Sequence, residues 1–114
     1  MENRLISDSK ITASSQHDSD HAPSRARLHL KPSGGRKGAW SAGVNNTRQW
    51  LQIDLGSQHT RVTGIATQGR NSNIRNQWVT KYKLLYSNDG TNFQYYKQQG
   101  QSSDKVLQNY NVVH

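Results

Sequence analysis

The sequence predicts an all-β fold, a sandwich or jelly roll, and three observations carry that expectation. Apolar and polar residues alternate in short runs, most plainly from Val79 to Ser87, where Tyr82, Leu84 and Tyr86 fall on one face and Lys81 and Lys83 on the other. Clusters of Gly, Pro, Asn, Asp and Ser separate the runs at short intervals. No stretch carries the 3.6-residue period of an amphipathic helix.

In chain order, residues 1–10 are polar and turn-like, and Ile11 to Ser14 is a short strand of β-branched and small residues. Ser15 to Ser24 reads as a loop, with Pro23 forcing an extended approach at Ala22. Arg25 to Leu30 alternates, with Leu28 and Leu30 on one side, and is expected to be a strand or extended segment. Lys31 to Gly38 holds Pro32 and three glycines, which excludes a strand interior. Trp40 follows as a core plug. Trp50 to Leu55 places Leu51, Ile53 and Leu55 on one face, and Arg61 to Gln68 reads as a β-branched strand interrupted by Gly64. A third loop, Gly69 to Gln77, leads into the hairpin, whose turn is Ser87-Asn88-Asp89-Gly90 and whose second strand brings Phe93 and Tyr95 against the Tyr82, Leu84 and Tyr86 face. Beyond Tyr96, 98–104 is polar and 106–113 holds a few apolar residues.

Composition sets further bounds. At 114 residues the chain is expected to form one domain, and its 31% hydrophobic content implies a small core with long polar loops. No apolar run is long enough to span a membrane, and no signal-peptide pattern opens the sequence. With no cysteine, disulfides, thiolate metal sites and cysteine nucleophiles are excluded. The formal net charge is +8, and from His21 to Asn88 eleven basic residues face a single acid, Asp54. Such a field favours anionic partners: sulfated glycan, acidic lipid headgroup or nucleic acid.

Five segments in series then carry a resemblance: KITASS at 10–15, SRARL at 24–28, WLQIDLG at 50–56, VTGIATQGR at 62–70 and VTKYKLLYSNDGTNF at 79–93. Together they resemble the discoidin domain, also called the coagulation factor 5/8 type C domain, over nearly the whole chain. The resemblance implies a distorted jelly-roll β-barrel or sandwich of the galactose-binding-like kind, found in extracellular adhesion, clotting and receptor proteins. Such domains bind and do not catalyse. Two departures bear on the fold. The cysteines that usually bracket the family's domain are missing, as are its arginine-rich closing strands, so 1–114 is expected to be a discoidin-like domain incomplete at its C-terminal end, with an open edge that could drive self-association.

In the family, loops at one end of the barrel make the binding surface. By position these correspond to Gln16, His17, Asp18, Ser19, Asp20 and His21, to Pro32–Lys37 with Arg36 and Lys37, and to Asn71, Ser72, Asn73, Ile74, Arg75 and Asn76, preceded by Arg70. Members that insert into phosphatidylserine membranes carry bulky apolar tips, and here Ile74 alone is of that type, so charge rather than insertion is expected to dominate. Arg70 matches an arginine of collagen-binding members, which keeps a protein-binding module as an alternative.

The expected function is that of an extracellular cell-adhesion or ligand-binding module. It would bind an anionic or glycan surface: sulfated glycan, acidic phospholipid headgroup, or cell-surface or matrix glycoprotein. Its membrane association would be peripheral. Arg36, Lys37, Arg70 and Arg75 would form a cationic rim.

The residues carry other readings as well. Asp18 and Asp20 with His17 and His21 have donor types that suit Ca²⁺ or a transition metal, but a hard cation needs six or more oxygens and the expectation is a solvated polar loop with no cofactor. Asp54 is expected to pair with Arg25 or Arg27. No catalytic spacing is present, so no enzyme is expected. A nucleic-acid-binding β-barrel is the rival that charge raises, and it would need aromatics exposed on the basic face, whereas Tyr82, Tyr86 and Phe93 alternate into the expected core. Asn45-Asn46-Thr47 is an N-glycosylation sequon, consistent with secretion.

Overall fold

Ile11–Ala13 (β1) and Leu51–Ile53 (β2) pair antiparallel, with Ile11 opposite Ile53 and Ala13 opposite Leu51. Backbone bonds beyond the strand ends, Ser14 N–H to Trp50 O at 3.0 Å and Asp54 N–H to Lys10 O at 2.8 Å, lengthen the ladder at both ends. β-branched Ile11 and Thr12 suit the pleat. This is a computed structural model of the chain, and it describes residues 6–56, 60–70, 72, 77–97 and 105–108.

The chain divides into two units, Met1–Gln77 and Trp78–His114. The first contains β1, β2 and three short 3-10 turns, Asp8–Lys10, Ser19–His21 and Pro23–Ala26. In the second, Lys81–Lys83 (β3) pairs antiparallel with Val106–Gln108 (β6), and Leu85–Tyr86 (β4) pairs antiparallel with Gln94–Tyr95 (β5). Ordered structure among the described residues is thus strand and single turns, an all-β architecture in two-stranded pieces without a closed barrel.

Three expectations are corrected here. Arg25 to Leu30 is not a strand. Pro23 opens a 3-10 turn through Ala26, its fixed φ suiting the first helical position, and His29, at φ 60°, bends the chain further. The inward pair of this alternating segment is Arg25 and Arg27, both buried, while Leu28 and Leu30 are half-buried.

Arg61 to Gln68 forms no ladder among the described residues, and Val62 and Ile65 are exposed. β propensity expresses itself only where a neighbouring strand takes up the backbone donors and acceptors.

The hairpin register is offset by one residue. Leu85 faces Tyr95 and Tyr86 faces Gln94, with the Tyr86 hydroxyl donating to Gln94 Oε1 at 3.0 Å. Opposed residues share a face, so Tyr95 lies with Leu85, under the Lys83 ammonium 5.4 Å from its ring centroid. Tyr86 and Phe93 are exposed rather than core residues.

Other expectations hold. Ala22 is extended before Pro23, at φ −61° and ψ 158°. Gly90 has φ 76° in the turn. Trp40, expected as a core plug, is instead half-buried, and its indole N–H donates to Ser15 O at 2.8 Å. Among the described residues Ile11 is the buried apolar side chain, and it is accompanied by buried His21, Arg25 and Arg27.

Candidate ligand-binding loops

The first loop is shaped by Asp18. Its Oδ1 accepts the backbone N–H groups of Asp20 at 3.0 Å and His21 at 3.1 Å, capping the Ser19–His21 turn. The same oxygen lies 2.6 Å from His21 Nδ1. This hydrogen bond from His21, with the nearby His17 and the Asp20 N–H, holds the Asp18 carboxyl below its ordinary range. His17 meets the buried His21 ring edge-on, with centroids 5.3 Å apart. Gln16, His17, Asp18 and Ser19 are exposed and Asp20 is half-buried. Asp18 Oδ1, one of the oxygens considered for a cation, accepts these N–H donors in the structure.

The second loop is a two-residue hairpin. Ser33 and Arg36 exchange both backbone hydrogen bonds, at 3.0 and 2.9 Å, around Gly34 at φ 57° and Gly35 at φ 82°. Two successive positive φ values define a type I′ turn, which glycine adopts without strain. Arg36 is exposed at the turn's end and Lys37 is half-buried beside it.

Backbone bonds join the two loops. Lys37 N–H donates to Asp20 O at 2.8 Å, while His17 N–H donates to Ser41 O at 2.8 Å and Ser41 N–H to His21 O at 3.3 Å. Gly43 N–H donates to Ser15 Oγ at 2.9 Å, and Ser15 Oγ donates to Gln49 Oε1 at 2.6 Å. Arg25, which the sequence did not mark as part of the site, reaches both ends of the hairpin: its Nε donates to Lys37 O at 2.7 Å and its Nη2 to Lys31 O at 2.9 Å. The signal available was its alternation with Arg27, two cations at inward positions beside a glycine loop.

The third loop is described only in part. Arg70 is half-buried, its N–H donates to Gln77 O and its Nη1 to Gln77 Oε1, both at 2.7 Å, and its Nε is buried without a hydrogen-bond partner. Ser72 is half-buried. Asn71, Asn73, Ile74, Arg75 and Asn76 lie outside the described residues, so of the four cations expected to form a rim Arg36, Lys37 and Arg70 are among the described residues.

Asp54 does not pair with Arg25 or Arg27. Its Oδ2 lies 3.4 Å from Lys10 Nζ and its Oδ1 accepts Gly56 N–H at 2.8 Å, on the exposed end of β2. Arg27 instead takes Asp8, with Nη2 to Oδ1 at 2.7 Å, and also donates to Ile6 O. Asp8 is adjacent in space because the Asp8–Lys10 turn precedes β1, whereas β2 carries Asp54 to the exposed side. Asn45 of the sequon is exposed.

The first two loops are thus polar and fastened to one another backbone to backbone at the end of an antiparallel β module. The F5/8 type C domain profile matches residues 10–113, and the chain belongs to that family, a family of β-sandwich domains. It is 41% identical over 103 residues to coagulation factor VIII of Homo sapiens, an overlap of 88% of this chain and 4% of that protein. It is 41% identical over 114 residues to the EGF-like repeat and discoidin I-like domain-containing protein 3 of Homo sapiens, covering 95% of this chain and 23% of the relative. Lactadherin of Rattus norvegicus is 40% identical over 114 residues, covering 95% and 25% respectively. The chain therefore spans a quarter or less of each of these relatives.

Proposed function

We propose that this chain is an extracellular adhesion-type binding module that presents the Gln16–His21 and Pro32–Lys37 loops, with the Arg70–Asn76 segment, to an anionic surface. The chemistry sought is clustered phosphate or sulfate, as on acidic phospholipid headgroups or sulfated glycan. The observation that carries this reading is that Arg36 and Lys37 lie at a type I′ glycine hairpin bonded through its backbone to the first loop. Asp18 and Asp20 stand in the first loop and Asp54, the lone acid from 22 to 88, is engaged with Lys10, so the attraction is assigned to Arg36 and Lys37 of the second loop together with Arg70. Bulky apolar tips are scarce in these loops, which favours peripheral, charge-led attachment over insertion.

The test is titration with vesicles containing phosphatidylserine, with heparin in parallel, across ionic strength. Wild-type affinity should fall steeply as salt rises, because the Debye length shrinks from ~10 Å at 0.1 M to ~3 Å at 1 M. Arg36→Ala combined with Lys37→Ala should weaken low-salt binding by roughly 30-fold, from about 1 kcal/mol per basic residue near the surface. Binding that ignores both salt and the double substitution would instead favour a neutral glycan or protein partner.

A further inference from the structure

Arg25 is 7% exposed, too buried to meet a surface partner, yet its guanidinium spans the two ends of the Lys31–Lys37 hairpin. Those two carbonyls flank the Ser33–Arg36 turn, so the planar fork fixes the width of the hairpin base. Lys37 N–H, on the same residue whose carbonyl Arg25 holds, fastens the hairpin to Asp20 O in the first loop. Arg25 is itself anchored by its own N–H to Ala22 O at 2.9 Å, directly after the Asp18-capped turn.

We propose that Arg25 is the positioning residue of the cationic tip: its buried fork holds Arg36 and Lys37 against the Gln16–His21 loop, so that the two loops meet an anionic surface as one preorganised patch. The inference rests on the binding reading above. A preorganised patch binds more tightly than a loose one of equal charge, because ordering the loop is not charged against the complex. The specific form of two donors in one plane matters, since a lysine ammonium on a flexible stem cannot hold both carbonyls in the same geometry.

Arg25→Lys keeps the net charge and removes the fork, which separates positioning from long-range attraction. Binding to phosphatidylserine vesicles should weaken about tenfold, the scale of ordering a loosened side chain on binding, with the salt slope unchanged. In the Arg36→Ala/Lys37→Ala background the same substitution should cost nothing further, because residues acting through one another are non-additive. Trypsin should cleave after Arg36 and Lys37 faster in Arg25→Lys than in wild type. Additive losses, or wild-type affinity with wild-type cleavage, would overturn the proposal.

If Arg25→Lys does not fold, Gly34→Ala/Gly35→Ala serves instead. A Cβ at either position meets nothing within 4 Å, so the change strains the positive-φ turn alone and leaves Arg25 in place. It should weaken vesicle binding in the same way, and unchanged affinity would show that tip geometry does not govern binding. The tryptic arm keeps two failures apart. Wild type that ignores vesicles while Arg25→Lys is cleaved faster retires the anionic-surface reading and leaves Arg25 as the hairpin's clamp.

Discussion

Asp18 Oδ1 sits 2.6 Å from His21 Nδ1 while it also accepts the backbone N–H groups of Asp20 and His21, so one carboxylate oxygen both caps a turn and orients a buried imidazole. Asp18→Asn retains an oxygen for the two backbone donors but loses the charge, and Asp18→Ala loses both. The melting temperature should fall in the order wild type, Asp18→Asn, Asp18→Ala. Equal melting temperatures for the two variants would show that the capping bonds add nothing.

Acid should weaken the fold. Asp89 is held far below the ordinary carboxylate value near 3.8, first by the N–H groups of Asn92 and Thr91 and then by the Asn92 and Ser87 side chains. Asp18 and Asp54 are lowered too, by His21 and by the Gly56 N–H respectively. For a carboxyl depressed in the folded state, stability is fully present above the unfolded value and drains away as pH falls through the folded one. Thermal melts should therefore be flat with respect to these groups from pH 6 to 5 and decline below about pH 4. Asp89→Asn should flatten part of that decline, and a melt indifferent to acid would contradict the hydrogen bonds described.

Removing the carboxylate beside Arg27 should destabilise the first unit. Arg27 is 2% exposed, whereas the Asp8 side chain is 55% exposed. Asp8→Ala leaves a buried guanidinium with less compensation, but because Asp8 is half in solvent the cost should be about 1–3 kcal/mol rather than that of a fully buried pair. Urea denaturation measures it directly.

A methyl group at Gly43 would lie 2.7 Å from Gln16 O, a backbone atom that cannot swing away. Gly43→Ala should cost about 1–3 kcal/mol and displace the start of the first loop. Gly64→Ala is the control, since its added Cβ meets nothing within 4 Å and stability should stay within roughly 0.5 kcal/mol. Thermal denaturation of the two variants side by side checks both.

What could be read from the sequence follows from where the information resides. The Ile11 and Leu51 strands were legible because alternation of β-branched and aliphatic residues reports directly on the pleat. The turn glycine at 90 was legible because positive φ has a residue signature. The hairpin register was not. Asp89 Oδ1 accepts both Thr91 and Asn92 N–H, which extends the connection from Ser87 to Phe93 and moves the pairing by one residue. At Arg25 to Leu30 a two-residue alternation is shared by a strand and by two successive turns, and it does not say whether the arginines or the leucines face inward. The Gln16–His21 and Pro32–Lys37 loops were recognised as candidates, but their fastening was hidden. It runs through carbonyls of Asp20, Lys31 and Lys37, and a carbonyl is the same on every residue.

That only Ile11 among the described residues is a buried apolar side chain bears on how this protein responds to temperature. The heat-capacity change of unfolding arises chiefly from apolar surface newly wetted, and here Trp50, Leu85, Tyr86 and Phe93 are already half in water. Among the described residues little apolar surface is left to be wetted, so their share of that heat-capacity increment is expected to be small, which calorimetry of the unfolding transition would measure.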